Sequence, residues 1–227
     1  MYKGLTIVSL LVIILIVFGQ MLLPSVTEQY ALHLLNQRVQ AEKSHVEIKA
    51  QPGLKLLFGR MDTLVLQAEN ATPGKIRLQD VSLKGTDLKI DLRSLLVDQK
   101  LQIEDAGSLE LQAVIREADL ADFLQKKVEK LKDVQVHVTP EVIRLQGNLP
   151  VFGRTAEVMV EGIVRIQEGG LYFHMQKVNI RNTMLGKALT GNLFEDIPLL
   201  DLRTSPFQLE AAEVVQKNGE VVITLRR

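Results

Sequence analysis

The feature that most limits what this chain can fold into is a long alternation of apolar and polar side chains in its second half. Every second residue from Ala156 to Ile166 is small or apolar, whereas Glu157 and Arg165 belong to the opposite parity. Successive side chains of a β-strand point to opposite faces, so this pattern predicts a long strand with one buried face. A turn at Gly169–Gly170 and a second strand pattern from Leu171 to Ile180 predict an antiparallel hairpin.

Shorter alternations predict that much of the remaining chain is also strand. They cover Leu64 to Ala68, Ile76 to Leu83, Leu88 to Leu92, Leu109 to Ala113, Val134 to Val138, Val142 to Gln146, Phe207 to Gln216 and Val221 to Leu225. The alternation slips by one residue near Gln79–Asp80, which predicts a bulge or turn there. Further turns are predicted at Gly85–Thr86 and at Asn218–Gly219, where the second dipeptide is typical of a tight hairpin.

Helical periodicity replaces the alternation in three segments. The strongest runs from Asp119 to Lys132 and places its apolar residues on one stripe. A second helix is predicted from Ser25 to Glu42, and a short one from Thr183 to Leu193. Together the elements predict a single α+β domain over residues 25–227. In it, a strongly curved antiparallel β-sheet wraps around the long amphipathic helix.

The first 24 residues predict a membrane anchor that precedes this domain. The segment from Leu5 to Leu23 is almost wholly apolar, and as a helix it would span about 28 Å, close to the hydrocarbon thickness of about 30 Å. A cleaved signal peptide is the rival interpretation, but it would have a shorter apolar region that ends in small residues. Gln20, Leu22 and Leu23 stand at that end instead. We therefore expect an uncleaved transmembrane signal-anchor over residues 1–24.

The orientation of the anchor follows from its short charged tail. Lys3 is the only charged side chain before Pro24, and a tail this short usually stays inside the cell. This places residues 25–227 on the extracytoplasmic side of the cell membrane, attached by a single transmembrane pass.

Charge and cysteine content exclude several classes of protein. The 27 basic and 27 acidic residues cancel, which argues against a nucleic-acid binder because such a protein needs excess Lys and Arg to neutralise phosphates. The absence of cysteine removes disulfides, thiolate nucleophiles and iron–sulfur clusters.

No pattern typical of a catalytic or metal site occurs in the sequence. None of the four histidines lies three or four residues from another, and no nucleophile or phosphate-loop motif is present. His137 and His174 fall on polar faces of predicted strands, so both are expected to be exposed. The acidic pairs Glu104–Asp105 and Glu195–Asp196 are expected in solvated turns. We predict a protein that is not an enzyme and that uses no cofactor or metal.

The apolar face of the hairpin and the stripe of the long helix are the remaining candidates for a functional surface. A curved sheet lined by small and branched side chains can close on a helix as a filled core, or it can leave a groove for acyl chains. Both alternatives stay open from patterning alone. The candidate lipid-lining residues are Leu64, Leu66, Leu120, Phe123, Leu124, Val128, Val158, Val160 and Val164.

Three stretches resemble the LmeA-like phospholipid-binding family, which is related to the tubular lipid-binding (TULIP) superfamily. They are the strand-to-helix passage Leu111 to Leu120, the strand Val142 to Gly147 with the hairpin after it, and the closing segments Ile197 to Asp201 and Pro206 to Leu209 with the final hairpin. The resemblance extends from about Ser25 to Arg226. It implies a curved sheet around a long helix, with a phospholipid between them, in an exported protein that binds lipid without catalysis.

The expected function is therefore that of a membrane-anchored, extracytoplasmic phospholipid-binding protein of the bacterial cell envelope. It would hold acyl chains in an apolar groove for lipid handling or transfer. The expected partners are a phospholipid or related acyl-chain ligand and the membrane, with no nucleic acid and with protein partners unknown. The alternative is a non-catalytic envelope scaffold or interaction module with a filled core.

Overall fold

A computed structural model describes residues 23–33, 36, 40–73, 75–98, 102–128, 131–151, 154–181, 196–201 and 211–227. Within these ranges most residues belong to antiparallel β-sheets, with few helices and with a sheet that curls into a half-barrel. The predicted short helix from Thr183 to Leu193 and most of the anchor, residues 1–22, lie outside the described residues. Among the residues described, no helix is long and apolar enough to cross a membrane.

The strands are β1 Lys43–Lys49, β2 Arg60–Ala71, β3 Leu78–Ile90, β4 Ile103–Asp105, β5 Ser108–Arg116, β6 Lys132–Val138, β7 Ile143–Val151, β8 Arg154–Gln167, β9 Gly170–Arg181, β10 Ile197–Asp201, β11 Ala211–Lys217 and β12 Glu220–Arg226. The helical elements are a 3-10 helix Gly53–Phe58, α1 Leu92–Val97 and α2 Glu117–Lys127. Residues 23–33 are helical as well.

The strands form two sheets rather than the single predicted sheet. Sheet 1 has the order β1-β2-β3-β5-β12-β11, with β4 paired to β3, and sheet 2 has the order β10-β9-β8-β7-β6. All these pairings are antiparallel. The chain enters sheet 2 directly after α2, so the helix joins the two sheets and packs mainly against β6.

The long hairpin is confirmed as β8 and β9. Ala156, Val158, Val160 and Val164 are buried, as the alternation predicted. The turn consists of Glu168 and Gly169 and thus begins one residue before the predicted Gly169–Gly170. Both residues have positive φ, 50° and 74°, which matches the twist of a two-residue hairpin.

The closing hairpin is also confirmed, with Asn218 and Gly219 between β11 and β12. Lys217 pairs with Glu220 across this turn. Gly219 has a φ of 81°, a left-handed conformation that glycine adopts without steric cost.

The predicted turn at Gly85–Thr86 is wrong, because β3 continues through it without interruption. Gly85 pairs with Leu64 on one side and with Leu109 on the other. A Cβ atom at Gly85 would lie 2.8 Å from a methyl group of Leu88 and 3.0 Å from one of Leu109. The glycine therefore makes room for core side chains and does not reverse the chain.

Near Gln79–Asp80, where a bulge or turn was predicted, β3 also continues, and its pairing with β2 shows no register shift. Asn70 of β2 has a φ of 49° at this level.

Leu92, predicted to extend a strand, instead begins α1. The Asp91 carboxylate caps this helix by accepting hydrogen bonds from the backbone N–H groups of Arg93 and Ser94.

Both long predicted helices are shorter in the structure. The α2 helix ends at Lys127 rather than Lys132, because Lys132 already belongs to strand β6. It begins at Glu117, two residues earlier than predicted. The N-terminal helix does not reach Glu42, since Gln40 has a φ of 46° and the next strand begins at Lys43.

The buried apolar residues form two cores. Core 1 lies around α2 and contains, among others, Leu120, Phe123 and Leu124 of α2, Val158, Val160 and Val164 of β8, Phe173 of β9 and Ile223 of β12. Core 2 is formed by the first strands of sheet 1 and contains, among others, Val46, Ile48, Leu56, Leu64, Leu83, Leu88 and Ile103. Strand β5 joins them, since Leu109 belongs to core 2, Ala113 to core 1, and Leu111 contacts both.

Sheet 1 and sheet 2 are also held together by polar contacts from the closing hairpin. The Gln216 side chain accepts a hydrogen bond from the backbone N–H of Val164 at 3.0 Å and donates to the carbonyl oxygen of Thr139 at 3.4 Å. The backbone N–H of Gly219 donates to the Val138 carbonyl at 3.0 Å, and its own carbonyl accepts from Glu117 at the start of α2, also at 3.0 Å.

Gly162 gives a direct test of how closely β8 and β9 pack. A Cβ atom there would collide with the carbonyl oxygen of His174 and would lie 2.8 Å from the ring of Phe173. We expect Gly162→Ala to lower the free energy of unfolding by about 1–3 kcal/mol, as over-packing does in other cores. Glu157→Ala, at an exposed position of the same strand, should change it by less than about 0.5 kcal/mol. Denaturant unfolding of both variants measures the difference, and equal stabilities would contradict this packing.

Candidate functional site

The nine predicted lipid-lining residues separate into two groups. Leu64 is buried in core 2, and Leu66 packs against that core from a partly buried position. The other seven belong to core 1 or pack against it: Leu120, Phe123, Leu124, Val128, Val158, Val160 and Val164. The structure thus brings the helix and hairpin residues together, whereas the two residues of β2 lie in the other core.

One wall of core 1 is the apolar stripe of α2. Leu120, Phe123 and Leu124 are spaced so that they share one face of a helix, and all three are at most 5% exposed. The ends of the helix suit its dipole, with Glu117 in the first turn and Lys127 in the last. Val128 follows the last helical residue and is partly buried against the same core.

The inner face of β8 contributes to the same core. Val158, Val160 and Val164 alternate with exposed or partly exposed residues, and Val160 lies between Leu145 of β7 and Val178 of β9. The small residues Ala156 and Gly162 share this face. Both surfaces thus belong to one apolar core, with short side chains on β8 and long ones on α2.

A polar junction holds the start of α2 in place. Asp119 is buried and accepts a hydrogen bond from the Arg116 guanidinium at 2.9 Å. The same guanidinium donates to the side-chain oxygen of Asn70 at 3.3 Å, and the Glu117 carboxylate accepts from the backbone N–H of Val138 at 3.1 Å. A buried carboxylate is tolerated here because it is paired. Arg116 links the start of the helix to sheet 1 through Asn70, and Glu117 links it to sheet 2 through Val138.

Two surface grooves lie away from the nine residues. The larger, about 660 Å³, is on the core 2 side and is lined by Lys55, Phe58, Arg60, Lys89, Ile90, Asp91, Leu92, Arg93 and Glu104. The smaller, about 360 Å³, lies on the β6–β7 pair and is lined by Gln135, Val136, His137, Arg144 and Gln146. In contrast to core 1, both grooves carry charged side chains.

A polar cluster on sheet 2 was not predicted from the sequence. Asp196, just before β10, bonds to Nδ1 of His174 at 2.7 Å and accepts a hydrogen bond from Arg165 at 3.0 Å. The expectations that His174 is exposed and that Asp196 lies in a solvated turn are wrong, since their side chains are only 31% and 24% exposed. In a β8–β9 hairpin Arg165 and His174 are diagonal neighbours, but Asp196 joins them only because β10 pairs with β9.

Hydrogen bonding outweighs burial at Asp196. Burial raises the pKa of this carboxyl, but the hydrogen bonds from His174 and Arg165 favour the charged form and bring the pKa below its ordinary value of 3.8. The cluster thus ties β10 to the long hairpin. Among the described residues, no group of three or more His, Asp or Glu side chains could hold a metal ion.

Comparison with known proteins gives one match. A family model described as LmeA-like phospholipid-binding matches residues 19–226, which is nearly the whole chain. No curated protein and no solved structure matches the chain significantly.

The Asp196 cluster predicts a pH-dependent contribution to stability. Because the pKa in the folded state is lowered, the stabilisation is present above the ordinary Asp range and is lost as the pH falls through the folded-state pKa. We expect Asp196→Asn to cost about 1 kcal/mol at pH 7, since the group is partly exposed, and to cost little at a pH well below 3.8. Urea unfolding at both pH values measures this.

The matched control is Asp122→Asn, which removes an exposed carboxylate from α2. A cost at Asp196 that is the same at both pH values, or equal to that at Asp122, would contradict the assignment.

Proposed function

This chain belongs to the LmeA-like phospholipid-binding family, and on that basis we propose that it holds the acyl chains of a phospholipid in core 1, between α2 and the inner face of β8. The observation that carries the proposal is the composition of this interior. It combines a helix stripe with a sheet face of short side chains. Asp119 at the start of α2, the only charged residue buried among those that the structure describes, is paired with Arg116. An acyl chain can enter such an interior without removing an unpaired polar group from water.

The free energy that favours acyl-chain binding in this proposal comes from the transfer of methylene groups into an apolar interior. Each buried methylene group contributes about 0.8 kcal/mol, so contact with ten carbons offsets roughly 8 kcal/mol of the cost of leaving a bilayer. We propose binding rather than catalysis, because the family description names phospholipid binding and no reaction.

We further propose that residues 1–24 anchor the protein in the cell membrane, with residues 25–227 on the extracytoplasmic side. The apolar run from Leu5 to Leu23 supports this. The helix that follows packs on core 2 through Leu23, Ala31 and Leu32, and the Glu28 carboxylate accepts a hydrogen bond from the backbone N–H of Ile48 at 2.8 Å. The packing of this helix on core 2 would keep the lipid-binding part close to the bilayer. Release of the full chain from membranes by alkaline carbonate would contradict the anchor.

Over-packing of each core tests the cargo site. We expect the purified full chain to carry phospholipid, detected by native mass spectrometry and lipid extraction, and Val160→Phe to lose most of it because the ring occupies the space of the acyl chain. The control Leu64→Phe, which over-packs core 2, should keep the lipid. Each substitution costs about 1–3 kcal/mol where the core is filled, so stability alone would not separate them.

Two outcomes would contradict core 1 as the lipid site. One is equal loss of lipid from both variants. The other is a full chain free of lipid that stays so after incubation with phospholipid vesicles, which would favour the alternative of an envelope scaffold with a filled core.

A further inference from the structure

Three large apolar side chains are exposed where the 3-10 helix and α1 come together. Leu57 and Phe58, at the end of the 3-10 helix, are 56% and 74% exposed, and Val97, at the end of α1, is 72% exposed. The two elements are close, because the backbone N–H of Ile90 donates to the carbonyl oxygen of Gly59 at 2.8 Å. Large exposed apolar side chains on neighbouring elements are characteristic of an interaction surface.

Two guanidinium groups lie beside these apolar side chains. Arg60 and Arg93 line the groove of about 660 Å³ together with Phe58 and Leu92. Both arginines are exposed, and neither forms an ion pair within the described part of the chain. Val97 follows Arg93 by four residues on α1, so the two share one side of the helix.

The other basic side chains of the groove are paired with carboxylates. Lys55 pairs with Asp62 and Lys89 pairs with Glu104, each at 2.6 Å. The Asp91 carboxylate caps α1. Hydrogen bonds from Ser94 and the nearby charge of Arg93 lower the pKa of Asp91, so this carboxylate stays negative. The two arginines exceed it by one charge, which leaves the groove with a small net positive charge.

This combination suits an anionic phospholipid bilayer. Apolar side chains enter the boundary between head groups and acyl chains, while arginine binds phosphate oxygens through its planar fork of donors. A second copy of this chain would bring two positive patches together, which electrostatic repulsion opposes. The patch is attached to core 2, since Ile90 belongs to that core and Leu92 packs against it, as do residues of the N-terminal helix.

We propose that Leu57, Phe58, Val97, Arg60 and Arg93 form a surface that docks the protein on an anionic phospholipid bilayer. The proposal rests on the proposed function, because a lipid-binding protein must meet a bilayer to exchange its cargo. Docking through this patch would hold the core 2 part of the molecule on the membrane and leave core 1 at the other end of β5.

The absence of cysteine allows a clean test with the full chain. Phe58→Cys introduces a single thiol for an environment-sensitive fluorophore, and Glu141→Cys, at an exposed position between β6 and β7, is the control. Each labelled protein is mixed with, or reconstituted into, two kinds of vesicle. One contains phosphatidylcholine alone, and the other contains phosphatidylcholine and phosphatidylglycerol. A nitroxide-labelled lipid then quenches fluorophores that reach the bilayer. We expect strong quenching at position 58 in the anionic vesicles and little at position 141.

A charge comparison tests the role of the arginines. In the Phe58→Cys background, Arg60→Gln with Arg93→Gln should shift the contact equilibrium by about 30-fold, which corresponds to two cations near an anionic surface. Quenching at position 58 should then fall to the level of position 141. Lys126→Gln with Lys127→Gln removes two exposed cations from α2 and should leave the quenching unchanged.

The remaining outcomes distinguish failure of the docking surface from failure of the proposed lipid binding. Weak quenching at position 58, or quenching that is independent of anionic lipid, overturns the docking surface even if phospholipid is extracted from the same sample. Strong, arginine-dependent quenching supports the docking surface even if no bound phospholipid is found, a result that would refute the lipid-binding proposal alone. Efficient cross-linking of two chains through Cys at position 58 would identify a second copy as the occupant and would overturn the bilayer proposal.

Discussion

The contact on which the rest of the structure depends is that between the turn of the closing hairpin and the start of α2. Gly219 donates to Val138 of sheet 2 and accepts from Glu117 of the helix, both at 3.0 Å. Its left-handed φ of 81° lets the turn present both groups at once. This junction and the Arg116–Asp119 pair beside it hold the start of α2, and Leu120, Phe123 and Leu124 bury the rest of its apolar stripe in core 1.

The two cores differ in what surrounds them, and our proposals assign them different roles. Core 1 lies between the helix and both sheets, where apolar surface is continuous over several elements. Core 2 lies under the first strands and carries the exposed patch around Phe58 and Arg93. We infer that the first receives the acyl chains and the second faces the membrane, with β5 connecting them.

The pattern of side chains over short stretches predicted those parts of the fold that depend on neighbouring residues in the chain. The burial of Val158, Val160 and Val164 follows from the period of a strand, and the turn at Gly219 follows from the preference of glycine for positive φ. The prediction failed at Gly85, where glycine serves close packing against Leu88 and Leu109 instead of a turn. Most of the nine predicted lining residues are buried, but they do not form one group, since Leu64 belongs to core 2 and Leu66 packs against it. Their role in lipid binding stays a prediction.

The sequence by itself determined the strand character, the two hairpins, the amphipathic helix and the family, because these depend on the order of side chains over short stretches or along the whole chain. Only the tertiary structure decided that the strands divide into two sheets with separate cores. It alone also brought Asp196 to His174 and Arg165, and placed Arg60 and Arg93 on the same groove. The physical reason is that such contacts join residues distant in the chain, and their formation depends on which strands pair and not on the periodicity of any one of them.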